Sequence, residues 1–222
     1  MSKSTTVCVY CGSKNNLTKD HIPPKSLFAK PLPGDLITVP SCRRCNRGAS
    51  KDDEYFRLVL VPRRDVGDHP EAIQVWDKVI RSFQYPEAKK FTRSFLSGVS
   101  SFFFENEQGF IEPGGSYTVD HRRLGRVASR IVKGLFWKET GERLPDSCEV
   151  SAYVDAGMSR IDENVVRILD ELVQQEPVSV GRDVFKYWWK STPECKYSGA
   201  WLLLFYGRVT FFCLALNPRP LR

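Results

Sequence analysis

Long apolar runs are missing from this sequence of 222 residues. Its most hydrophobic stretch, Ala200 to Leu216, is cut by Gly207 and Arg208. Neither half reaches across the ~30 Å of a bilayer's hydrocarbon core. The first residues, MSKSTTVCVYC, lack the apolar segment of a secretory signal, so the expectation is a cytoplasmic protein with no membrane partner. No segment recurs at a period of roughly 20 to 50 residues, which excludes solenoids and propellers. Histidine is scarce, with three in the chain, so side chains that can take a proton near neutrality are few. Seven cysteines, an odd number, fit a disulfide framework poorly and metal ligation better.

What is present is an ordinary globular composition, 41% apolar and 27% charged, unlike disordered, collagenous or coiled-coil chains. Lys and Arg number 33 against 26 Asp and Glu, a net charge of +7 that suits an anionic partner. The surplus is uneven. Residues 1–60 hold 10 basic and 5 acidic side chains, so the N-terminal quarter is the electropositive part.

Two C-x2-C pairs, Cys8/Cys11 and Cys42/Cys45, lie 30 residues apart. Each turn can aim two thiolates at one ion, and two turns complete a tetrahedral structural Zn²⁺ site. A dithiol-redox role for one pair would leave the other unexplained. Cys148, Cys195 and Cys213 stand in other contexts and read as small buried hydrophobes. A structural zinc replaces the core that a segment of this size lacks; the chemistry depends on what the knuckles present.

Between the knuckles stand Thr18-Lys19-Asp20-His21-Ile22-Pro23-Pro24-Lys25, and after them Asn46 and Ser50-Lys51-Asp52-Asp53. His21 is a natural general base. It also has a plainer reading as a turn residue, or as a zinc ligand that would leave one cysteine spare. Asp20 and Asn46 offer the hard oxygen donors that Mg²⁺ prefers. Asp53 shares a helical face with Asn46, Ser50 and Arg57 if the segment from Arg43 to about Val61 is a helix, although an acidic run such as Asp52-Asp53-Glu54 reads first as solvated.

This order of residues resembles the HNH endonuclease family over roughly residues 8–57: an Asp-His pair before Ile-x-Pro, a second C-x2-C followed at once by Asn, then Ser-Lys-Asp. The resemblance implies a ββα-metal fold with a four-cysteine zinc site. It implies a catalytic Mg²⁺ or Mn²⁺ held by Asp20 and Asn46, with His21 activating water against a phosphodiester. One position departs from the pattern. The family usually carries an Asn shortly before the second knuckle, where its side chain positions the catalytic His, and Ile37 stands there, with Thr38 and Asp35 as the nearby polar substitutes.

Lys19, Lys25, Arg43, Arg44, Arg47 and Lys51 surround these residues in sequence and suit phosphate contacts, with DNA the expected partner over RNA. Further on, a helix is expected over Glu71 to Phe83 and a hairpin over Phe102 to Tyr117. A long helix is expected from Asp120 to Thr140, its Leu124, Val127, Ala128, Ile131, Val132, Leu135 and Phe136 forming an apolar stripe. Opposite that stripe Arg126, Arg130 and Lys133 make a basic ridge, either a second nucleic-acid contact or the solvent face of an amphipathic helix. A helix over Arg160 to Gln175 and a terminal hairpin around Gly207-Arg208 complete the reading, and the aromatics Trp188, Trp189 and Trp201 read as core. His69 and His121 read as surface residues. The expected class is α+β: an HNH-like module over 1–61, a linker over 62–70 and a mixed α+β domain over 71–222, to which a protein partner or homodimer contact is assigned. The rival to an endonuclease is a non-catalytic nucleic-acid-binding zinc module on the same scaffold. A further rival is a protein-interaction scaffold whose zinc is purely structural.

Overall fold

A hairpin and a helix open the chain in the computed structural model, which describes residues 6–86, 93, 96–106, 108–154 and 163–218. Strand β1 (Leu17–Ile22) pairs antiparallel with β2 (Ile37–Cys42), Asp20 facing Val39 and His21 facing Thr38. Helix α1 (Arg43–Leu60) starts directly from β2, with Cys42 as its N-cap residue. A short turn of 3₁₀ helix over Arg64–Val66 leads to α2 (Pro70–Ser82). His69 caps that helix, its Nδ1 accepting the N–H of Glu71 at 3.2 Å, and Pro70 occupies the first position, where a missing N–H costs nothing. His69 thus has a structural role, while His121 is exposed as expected.

Strands β3 (Val99–Glu105) and β4 (Ile111–Tyr117) form a separate antiparallel ribbon. Helix α3 (His121–Thr140) follows, its Asp120 carboxylate accepting the N–H groups of Arg122 and Arg123 at 3.0 and 3.3 Å in place of a preceding turn. Every apolar residue of the expected stripe on α3 is buried. Strand β5 (Glu149–Val154), helix α4 (Glu163–Val173) and strands β6 (Val178–Val180), β7 (Phe185–Ser191), β8 (Gly199–Phe205) and β9 (Val209–Leu216) complete the described chain. The last five strands make one antiparallel sheet in the order β5-β9-β8-β7-β6. The helix expected over Arg160 to Gln175 is α4, and its expected start lies outside the described residues.

The molecule is therefore a mixed α/β protein with four helices of regular length and only antiparallel pairing among the described residues. No described helix is long and apolar enough to cross a membrane. Alternate residues of β8 divide between two sides. Trp201, Leu203 and Phe205 join the main core, whereas Ala200 and Leu202 pack beneath Leu172 of α4. The main core runs without interruption from Val9, Ile22, Phe28 and Phe56 to Leu135, Phe185 and Phe211. Phe56 of α1 meets the rings of Phe205 and Phe211, each at 5.3 Å between centroids. Val66, within the 62–70 segment, is fully buried.

Candidate metal centre and adjoining cleft

Gly12 makes the first knuckle possible. Its N–H donates to the carbonyl of Cys8 at 2.8 Å with φ at +72°, a conformation that costs a glycine little. Cys42 and Cys45 come from the start of α1. The four Sγ atoms lie within 4.8 Å of one another, with Cys11 and Cys42 at 3.7 Å. Tetrahedral coordination with Zn–S bonds near 2.3 Å sets sulfur atoms about 3.7 Å apart, so the cluster can hold a zinc ion. Burial pushes the Cys8 thiol up, but N–H groups of the Cys42, Cys11 and Tyr10 backbone outweigh it and bring it down to about 7. Burial and neighbouring sulfurs drive Cys45 up. Among the described residues these four form the only group of three or more Cys, His, Asp or Glu donors close enough for one metal.

A cleft of about 400 Å³ adjoins the knuckles and is lined by Lys19, Asp20, His21, Lys25 and Asn46, together with Asp53, Glu54 and Arg57. Five of the residues read from the sequence are thus brought together. Arg43, Arg47 and Lys51 are exposed and do not line it. Asn46 donates through Nδ2 to Thr18 Oγ1 and to the carbonyl of Lys19, both at 3.1 Å. That anchors α1 to β1 and leaves the amide oxygen uncommitted.

Asp20 is buried. Its Oδ2 accepts from the Tyr10 hydroxyl at 2.8 Å and from Arg130 Nη2 at 2.6 Å. The other guanidinium nitrogen of Arg130, Nη1, holds Asp53 at 2.7 Å. Burial, with Asp20 close by, pushes the Asp53 carboxyl up to about 6 against the pull of Arg130. Asp52 takes Arg123 and Arg126 at 2.8 and 2.7 Å, and hydrogen bonding from Arg126, then Arg123, holds its carboxyl below the ordinary range despite burial. The expected solvated acidic run is thus corrected. Asp52 and Asp53 are ion-paired to α3, because the basic ridge of that helix faces α1 across their crossing.

His21 is half-buried. Burial and the nearby Lys25 ammonium lower its titration, opposed by Asp20. No side chain among the described residues hydrogen-bonds its ring. Ile37 is buried opposite Ile22, on the other face of the hairpin from His21. Asp35 is committed elsewhere, accepting the N–H of Gly181 at 2.8 Å. Thr38 is the cross-strand neighbour of His21 and shares its face.

Two side chains at the site have no role in the sequence pattern. Arg57 shares the Asn46 face of α1. It lines the cleft, its Nε is buried without a partner, and its carboxylate contact, to Glu54, is 3.7 Å long. Arg130 was placed on a ridge with no link to Asp20. No local pattern could have shown that pairing, since the two are 110 residues apart. Cys148 and Cys213 are buried as expected, whereas Cys195 is partly exposed. No family model matches this chain, and no curated protein or solved structure does either.

Proposed function

We propose that the protein is a metal-dependent endonuclease of the HNH type acting on nucleic acid, DNA by preference. The observation that carries this reading is that His21, Asp20, Asn46, Lys19, Lys25 and Arg57 line one open cleft beside the four-cysteine cluster. Hairpin β1–β2 and helix α1 match the ββα order that the resemblance implies. The free oxygens of Asp20 and Asn46, Oδ1 in each, are hard donors suited to Mg²⁺ or Mn²⁺. Such an ion supplies charge stabilisation at a phosphoryl oxygen when bound. The neutral His21 imidazole takes the proton of the attacking water. Lys19 and Lys25 hold the flanking phosphates, and Arg57, short of anionic partners, pairs with an oxygen of the phosphate under attack.

A second reading, a binding module without turnover, is favoured by two observations. No side chain among the described residues hydrogen-bonds the His21 ring, and Arg130 already takes one oxygen of Asp20. Cleavage of supercoiled plasmid by zinc-loaded wild type and His21→Ala, with Mg²⁺, Mn²⁺ or chelator, separates the two. Nicking that needs added metal and disappears in His21→Ala is expected. An intact plasmid in every metal, with zinc retained, would leave the binding module standing.

A further inference from the structure

A second cleft of about 550 Å³ runs between α1 and α3 beside the Cys45 knuckle. Its floor is made of small residues, Gly48 and Ala49 of α1 and Gly125 of α3, and α3 supplies Arg122, Arg126, Arg130 and Lys133 along it. Of these four, Arg126 is paired with Asp52, and Arg130 with Asp20 and Asp53 of the neighbouring cleft. That leaves Arg122 and Lys133 unmatched here among the described residues, as Lys19 and Lys25 are in the His21 cleft. Arg122 is exposed and Lys133 half-exposed, and neither has a carboxylate partner among the described residues. Arg126 keeps 58% of its side chain in solvent while paired to Asp52. Arg122, Arg126 and Lys133 follow one another at four- and seven-residue steps, a basic stripe about 16 Å long at 1.5 Å per residue.

The two clefts adjoin at Arg130. It lines the second, while the carboxylates it holds, Asp20 and Asp53, line the first. The unmatched cations of the α1–α3 cleft therefore extend the positive charge of Lys19, Lys25 and Arg57 beyond the His21 cleft. A second group of cations beside the first concentrates phosphate charge where a strand can continue towards His21.

We infer that this α1–α3 cleft is a binding site for the phosphodiester backbone of a nucleic-acid strand, seated on Arg122, Arg126 and Lys133 and leading past Arg130 into the His21 cleft. The inference rests on the nuclease reading for the identity of the polyanion. It assigns a substrate-holding role to α3, well outside the zinc-knuckle segment. The contacts are to backbone phosphate, so affinity is salt-dependent and largely indifferent to sequence.

The test is binding of a fluorescently labelled 20-base-pair duplex, and of its single strand, to the zinc-loaded full chain without added magnesium. It is read by anisotropy across salt concentrations. Gly125→Glu places a carboxylate in the cleft at a helical position where an added Cβ meets nothing within 4 Å, and circular dichroism checks that the fold is kept. It is expected to weaken binding about tenfold through like-charge contact with the phosphates. Arg122→Gln with Lys133→Gln is expected to reduce the slope of log affinity against log salt by about 2. Unchanged affinity and slope in both variants would overturn the inference, whether or not the plasmid is cut. Displacement of the labelled strand by micromolar inorganic phosphate would overturn it too, by making the cleft a small-anion site. Conversely, a chain that cuts nothing yet loses binding in Gly125→Glu would sink the nuclease reading and leave this site in place.

Discussion

Two neighbours of opposite charge, together with burial, set the titration of His21. Burial and Lys25 lower its titration below the ordinary value of 6.5, and Asp20 pulls the other way, so the neutral, proton-accepting imidazole persists below that pH. Removing the cation in Lys25→Met should raise the His21 pKa, and removing the anion in Asp20→Asn should lower it further. Both are read from the imidazole C–H resonance in an NMR titration, and the acid limb of a Lys25→Met cleavage profile should move with its imidazole. The Ile37 departure gives a second prediction. Ile37 is 8% exposed, so Ile37→Asn buries an amide and should cost about 2–3 kcal/mol in denaturant unfolding without reaching His21. Thr38→Asn shares the His21 face and should stay within about 0.5 kcal/mol of wild type, as exposed positions usually do. At this scale the four-cysteine cluster was legible, because ligand chemistry restricts residue type and spacing, and the candidates Asp20, His21 and Asn46 fall on one cleft. The Arg130 pairing was not legible, because its partners are distant in the chain.

Between elements, α3 comes close to β1 at Gly134. A Cβ on Gly134 would stand 2.5 Å from Ile22 Cγ1, next to His21. Gly134→Ala should therefore destabilise by about 1–3 kcal/mol through overpacking, despite the better helix propensity of alanine, and a urea titration would show it. The ladder between α1 and α3 is the other such contact: Asp52 and Asp53 meet Arg123, Arg126 and Arg130. Arg130→Met leaves Asp20 and Asp53 without their shared cation and should cost about 3 kcal/mol; adding Asp53→Asn should recover part of that loss. Helix boundaries were legible to within a few residues where a stripe and a cap coincided, as at Asp120 and Thr140. Which helix faced which was not. An apolar stripe shows that a face is buried without saying by what.

Across the whole molecule, one core joins the zinc-knuckle segment to the five-stranded sheet. Tyr206 donates to the carbonyl of Leu27 at 2.7 Å, and Tyr117 to that of Val59 at 2.6 Å. Removal of zinc by chelation should lower the Tm of a single cooperative transition, followed by circular dichroism; two separate transitions would mean the segments fold independently. A fragment of residues 1–70, even with zinc, should not reach native structure, because Ile22, Phe28 and Phe56 would lose the side chains that cover them.

Local chemistry by itself grouped the four cysteines in two matched turns, since spacing alone can bring their thiols together. The hairpin-and-helix order around them came from the family resemblance, and the candidates Asp20, His21 and Asn46 fall on one cleft. Tertiary structure alone decided that Arg130 of α3 bridges Asp20 and Asp53, and that Arg122, Arg126 and Lys133 line a neighbouring cleft. Those are contacts between segments far apart in sequence. They follow from which apolar faces bury one another, and charge pairing across the resulting interface then follows the packing.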